Sequence, residues 1–108
     1  MINSRFMRIM IIFDLPTIES FEKKEYRLFR NELIKNGYIM IQFSIYLKSF
    51  NHQINLNEEV QKISKYIPKS GNIRAISLTE HQWSNAVFMC GEKQINELVN
   101  NNERFNKI

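Results

Sequence analysis

The chain has 108 residues, 44% of them hydrophobic and 24% charged, a size and balance that fit one globular domain and exclude a disordered chain. Lysine and arginine outnumber aspartate and glutamate by 15 to 11, for a net charge of +4 and a pI near 9.3, which is compatible with a nucleic-acid partner without requiring one. The single cysteine, Cys90, excludes an intrachain disulfide and a cysteine-based zinc site and fits a reducing cytoplasm, and no apolar run is long enough to cross a membrane.

Residues 1–6 read as a short leader. Residues 8–13, rich in isoleucine and apolar at successive positions, predict a strand covered on both faces. The strand ends on a carboxylate, Asp14, followed by Pro16 and Thr17. Residues 20–36 then predict a helix in which Tyr26, Phe29 and Leu33, joined by Phe21 and Ile34, form the core stripe. Pro16 and Thr17 suit its start and Gly37 its end.

"YIMIQFSIYLK" alternates clearly. Ile39, Ile41, Phe43, Ile45 and Leu47 point to one side and are assigned to the core. Met40, Gln42, Ser44, Tyr46 and Lys48 point to the other. One long strand and two strands bent near residues 42–44 are both consistent with this pattern. A second helix is predicted over 56–67, with Leu56, Val60, Ile63 and Ile67 on one face; Pro68 and Gly71 mark the turn that follows. Residues 72–78 read as a strand. Thr79 and Gln82 have the spacing of a capping box, so a short helical turn is expected there. Residues 86–90 predict one more apolar strand, with Cys90 as a small buried hydrophobe. Ile95, Leu98 and Val99 add a final amphipathic turn within an asparagine-rich tail.

This order predicts an α+β fold, a ferredoxin-like βαββαβ sandwich over residues 1–92 with an additional short C-terminal strand, and a tail over 93–108. Both helices would cover one sheet face. The other, carrying Gln42, Ser44 and Tyr46, would be left for a partner, and the spare strand would cross to the second subunit of a homodimer.

Asp14 has two readings: a cap for backbone N–H groups near Thr17, or a functional carboxylate. One carboxylate is a poor magnesium site, but a twofold axis near the strand end would let two copies share an ion completed by water and phosphate. Lys23, Arg27 and Arg30, with Lys24 and Lys35 beside them, make one face of the first helix basic. That face is either a phosphate-contacting stripe or an ordinary solvated surface neutralised by Glu22, Glu25 and Glu32. Gln42, Ser44, Tyr46 and Lys48 suit a nucleic acid, a dimer mate or plain solvent. His52 and His81 read as surface residues, and Trp83 as an interface anchor or a packing residue. A Gly-rich phosphate loop, a Ser–His–Asp pattern and the aromatic strand motif of RNA-recognition sandwiches are all missing.

Taken in order, "MRIMIIFDLPT", "YRLFRNELIKNGY", "MIQFSIY", "GNIRAISLTEHQW" and "FMCGE" resemble the CRISPR-associated protein two family, in the variant of type II systems, over residues 7–92. The resemblance implies a homodimer that acts in spacer acquisition, bridging two dimers of the CRISPR integrase (CRISPR-associated protein one) around a short DNA duplex. Some family members are described as metal-dependent endonucleases on RNA or double-stranded DNA. On that basis Asp14 matches the catalytic, metal-binding carboxylate, with Mg2+ or another divalent cation such as Mn2+ as cofactor. The family's Gln–aromatic–Ser–aliphatic–aromatic signature falls on Gln42 to Tyr46 and implies interface or site support. Nucleic-acid contacts are expected from Lys23, Arg27, Arg30 and Lys48, whose alignment with the family is looser. The competing reading is a non-catalytic ferredoxin-like module that binds nucleic acid or a small regulatory molecule.

Overall fold

A computed structural model of the chain describes residues 7–91; residues 1–6, read as a leader, and the tail over 93–108, with its final amphipathic turn, lie outside that range. The elements follow in the order β1 (Met7–Asp14), α1 (Ser20–Lys35), β2 (Ile39–Gln42), β3 (Ile45–Phe50), α2 (Leu56–Lys62), β4 (Asn72–Thr79) and α3 (Glu80–Ser84). The strands form one antiparallel sheet in the order β2-β3-β1-β4. With its crossover helices this is the expected ferredoxin-like α+β sandwich.

Alternation along β1 divides the sheet into two faces. Ile9, Ile11 and Phe13 are buried in one cluster with Phe29 and Leu33 of α1, Tyr38, Tyr46 and Phe50 of the hairpin segment, and Ile63 after α2. Phe13 sits at its centre. Its ring meets those of Tyr26 and Phe29 edge-on, at 5.9 and 5.4 Å, and stacks on Tyr46 at 5.7 Å, arrangements that aromatic quadrupoles favour. The register puts Arg8, Met10, Ile12 and Asp14 on the other face, opposite Leu78, Ile76, Arg74 and Asn72 of β4. That face carries Leu47 and Ile45 across from Met10 and Ile12.

Several expectations are corrected here. The alternation over residues 39–48 is real, but its two faces are exchanged. Tyr46 lies opposite Ile11 and is 0% exposed in the core under α1, whereas Ile45 and Leu47 lie on the face away from α1 and α2, the one on which α3 meets Arg8. Both strand faces are apolar enough to be buried, so hydrophobicity alone cannot orient them. The larger ring fills the space under α1, where its hydroxyl reaches the charge of Arg30. Gln42, Ser44 and Tyr46 therefore do not share an open face. The segment forms two strands, with a bulge between Met40 and Gln42 and a two-residue turn at Phe43 and Ser44.

Phe21 and Ile34 are exposed and not part of the core stripe. α1 is entered through Glu22, whose carboxylate accepts from the backbone N–H groups of Ile18 and Glu19 at 3.0 and 2.9 Å, so Pro16 and Thr17 are not its cap. Its far end closes as expected with Gly37 at φ 94°. α2 stops at Lys62 and Ile67 is exposed; the Ser64 hydroxyl turns back to the Val60 carbonyl at 2.5 Å, an alternative to continuing the helix. At α3 the Thr79 hydroxyl accepts from Gln82 N–H at 3.0 Å, and the Gln82 side-chain oxygen accepts from Thr79 N–H at 2.9 Å. That is the expected capping box.

Residues 86–90 form no strand, and Cys90 is exposed. An extended segment becomes a strand only when its backbone groups find a neighbouring strand, and none of the described strands pairs with it. No described helix is long and apolar enough to cross a membrane.

Candidate functional site

The C-terminal end of β1 gathers the exposed chemistry. Asp14 closes the strand opposite Asn72 and is exposed. Its carboxylate takes no hydrogen bond from Thr17 or any other described residue, because Glu22 caps the helix instead. The strand end is held from one side by Gly71, at φ 99°. A Cβ on Gly71 would come within 2.7 Å of the Asp14 carbonyl oxygen and 2.8 Å of a Leu15 methyl, so only glycine allows this approach. On the other side, Phe13 N–H donates to the Ser44 carbonyl at 3.1 Å, tying the β2–β3 turn to the residue next to Asp14.

No described group of three or more His, Cys, Asp or Glu side chains could cage a metal ion. A single free carboxylate does fit a hydrated magnesium ion, which keeps several waters and takes one or two carboxylates plus phosphate oxygens. Asp14 is the residue that would hold it.

The basic face of α1 is better defined than the sequence alone allows. At 3.6 residues per turn, Arg30, Lys23, Arg27, Lys24 and Lys35 fall within about 140° of arc. The glutamates that could neutralise them are engaged elsewhere. Glu22 caps the helix, Glu25 accepts from Lys69 N–H at 3.4 Å, and buried Glu32 accepts from the Asn36 side chain at 3.3 Å. Lys23, Lys24, Arg27 and Lys35 form no ion pair with a described residue. The i,i+4 ion pairs expected of an ordinary solvated face do not form among the described residues, and the four cations stand exposed to solvent.

The remaining predicted residues separate. Arg30 is half-buried and turned to the Tyr46 hydroxyl. Burial raises the Tyr46 pKa and the Arg30 charge opposes part of that rise, while the buried Tyr46 hydroxyl has no hydrogen-bond partner among the described residues. Lys48 lies on the helix side, opposite Ile9, and its ammonium donates to the Asn36 carbonyl at the end of α1 at 2.7 Å, over the rings of Tyr38 and Phe50 at 5.7 and 5.0 Å. It is a helix-end contact. Gln42 is exposed at the hairpin, and Ser44 holds a left-handed φ of 66°. The Tyr38 hydroxyl is buried without a described hydrogen-bond partner, and its pKa is raised by desolvation and then by Glu59. His52 and His81 are exposed.

Sequence reasoning missed one cluster at the opposite end of β1. Arg8, 3% exposed, makes two bonds to Glu80, Nε–Oε1 at 2.8 Å and Nη2–Oε2 at 3.1 Å, and lies 5.5 Å from the Trp83 ring centroid. An arginine inside an apolar strand was the available signal. Trp83 is half-buried against Arg8, so it packs within the chain.

A family profile described as "CRISPR associated protein Cas2" matches residues 7–86. The chain is 39% identical over 101 residues to a protein of Campylobacter jejuni, covering 94% of this chain and 71% of that one. It is 42% identical over 98 residues to one of Ligilactobacillus salivarius, covering 91% and 96%. A Streptococcus mutans protein is 36% identical over 87 residues, covering 81% and 80%. All three carry the name CRISPR-associated endoribonuclease Cas2.

Proposed function

The chain belongs to the CRISPR-associated Cas2 family, and from that premise we propose that it is a homodimeric adaptor of CRISPR spacer acquisition, bridging integrase dimers on duplex DNA. Magnesium-dependent phosphodiester cleavage is its second activity. The observation that carries the reading is the row Lys23, Lys24, Arg27 and Lys35, left free of ion pairs with described residues while the neighbouring glutamates serve the backbone, Lys69 and Asn36. Such a stripe attracts a polyanion, and binding would release counterions from each phosphate it neutralises. A metabolite-binding regulator has no use for it.

The second copy is supported by exposed apolar side chains outside the core under α1 and α2. Ile76, opposite Met10, is exposed, as are Val87, Phe88 and Met89 in the segment after α3, and covering them is a route to the core that a small domain lacks. A twofold axis close to β1 would also bring two Asp14 carboxylates together. Bound magnesium would supply a Lewis acid at the phosphoryl oxygen and a water of lowered pKa. Asp14 would hold and orient that group, while the α1 cations position the phosphate backbone. With one carboxylate per chain and no described cluster of three or more His, Cys, Asp or Glu side chains to cage the ion, cleavage is slow and adaptor binding comes first.

The test is a salt series of duplex binding, with Mg2+-dependent cleavage of labelled RNA and duplex DNA by wild type and Asp14→Ala. The Lys23→Glu/Arg27→Glu variant should bind at least about tenfold more weakly with a shallower salt slope. Asp14→Ala should stay dimeric, bind duplex and integrase, and lose cleavage. Duplex affinity independent of salt, or unaffected by the charge reversals, would sink the adaptor reading. Cleavage that survives Asp14→Ala removes the nuclease reading alone.

A further inference from the structure

The turn beside Asp14 presents an aromatic ring that the fold does not use. Phe43 is 81% exposed at the first position of the two-residue β2–β3 turn. It is not a loose tip: Ser44 adopts a left-handed φ of 66° that a side chain disfavours, and the Ser44 carbonyl is bonded to Phe13 N–H at 3.1 Å. The turn is therefore fixed to the strand residue that precedes Asp14, and the ring beyond it is held outward. α1 begins at Ser20, and Glu25 in its second turn accepts from the N–H of Lys69, two residues before the Gly71 that packs against Asp14, so the exposed Lys23 and Lys24 lie at the same end of the sheet as the carboxylate and the ring. A protein partner needs no such charge. A polyanion whose units also carry flat π-faces matches both.

We propose that Phe43 is a stacking platform for one unpaired nucleobase of a strand whose phosphate lies at Asp14. The inference rests on the nuclease reading for the phosphate's destination and adds the residue that would select a strand opened at that point. In a continuous duplex each base already has its neighbours on both faces, so the ring gains nothing there. An unpaired base offers a free face, and stacking is tolerant of base identity.

The experiment uses the full-length dimer with Ca2+ in place of Mg2+, so that a divalent ion still joins Asp14 to phosphate while cleavage is suppressed, with a thymidine homopolymer single strand and a blunt duplex of equal phosphate number. Phe43→Ala should weaken binding of the single strand about tenfold, as base–aromatic stacking does, and change duplex binding less than about twofold. Phe43→Trp should keep single-strand affinity. The emission that this substitution adds, measured against the Trp83 background of wild type, should be quenched by the single strand and not by the duplex. Equal losses on both probes, no loss on either, or an added emission that the single strand leaves unquenched overturns the proposal. So does a Phe43→Ala protein that binds both nucleic acids normally but loses a protein partner. Failure of wild type to cleave with magnesium, with the single-strand selectivity of Phe43 intact, would remove the nuclease reading while leaving the stacking contact standing.

Discussion

β1 carries one charged residue near each end, on the same face, and the fold treats them in opposite ways. Arg8 is buried, bonded twice to Glu80 and covered by Trp83. Asp14, six positions on, is exposed and has no described partner. A buried charge must be paired, since removing it from water is expensive, whereas an exposed one can be left free at little cost. The Arg8 end therefore reads as structural, fastening α3 to the sheet. The Asp14 end is available to bind something from outside. A charge's neighbours, and not its presence in a strand, tell the two roles apart.

The comparison breaks most readily at Glu80. Glu80→Ala would leave Arg8 buried and unpaired, and should destabilise the chain by about 3 kcal/mol in chemical denaturation; a loss below about 1 kcal/mol would mean that Arg8 finds water and the two ends are alike. Gly71→Ala tests the mounting of the other end. The new Cβ meets the Asp14 carbonyl in a left-handed backbone conformation, so a loss of about 2 kcal/mol is expected, together with weaker Mg2+-dependent cleavage; unchanged stability and cleavage would show that the strand end is not held by this approach.

A smaller effect should come from the Tyr38 hydroxyl, which is unpaired like Asp14 but buried like Arg8. Tyr38→Phe removes an unsatisfied polar group and should be neutral or stabilising by up to about 1 kcal/mol at pH 7. Because the folded-state pKa is raised above the ordinary value near 10, the native state keeps the proton after the unfolded chain has lost it. Stability is then fully present below about pH 10 and falls as pH rises beyond it. An alkaline unfolding titration of wild type should show that fall, and Tyr38→Phe should blunt it. The smallest effect belongs to Asp14→Asn, with a stability change within about 0.5 kcal/mol. A larger change in thermal denaturation would make Asp14 structural and erase the contrast with Arg8.

Much of the fold was legible in the chain. Isoleucine-rich runs, the spacing of Tyr26, Phe29 and Leu33, Gly37 after the helix, and the Thr79–Gln82 capping box are local signals, and each has a local physical cause. The orientation of the hairpin was not legible. Tyr46 and Leu47 are both buried, on opposite faces, and only pairing with Ile11 and Met10 decides which ring or methyl goes under α1. Phe21 and Ile34 fit the helical stripe but lie outside the surface that the sheet can cover.

At the candidate site the same division holds. That Asp14 ends a strand and that α1 is basic follow from spacing, because strand and helix periods are properties of the local chain. That Asp14 is left uncapped, that Glu22, Glu25 and Glu32 are drawn away from the lysines, that Lys48 turns inward to Asn36, and that Arg8 finds Glu80 at a separation of 72 positions were decided by tertiary structure. Hydrogen bonds and ion pairs are satisfied by whatever group packing brings within about 3 Å, and that neighbour is not written in the adjacent sequence.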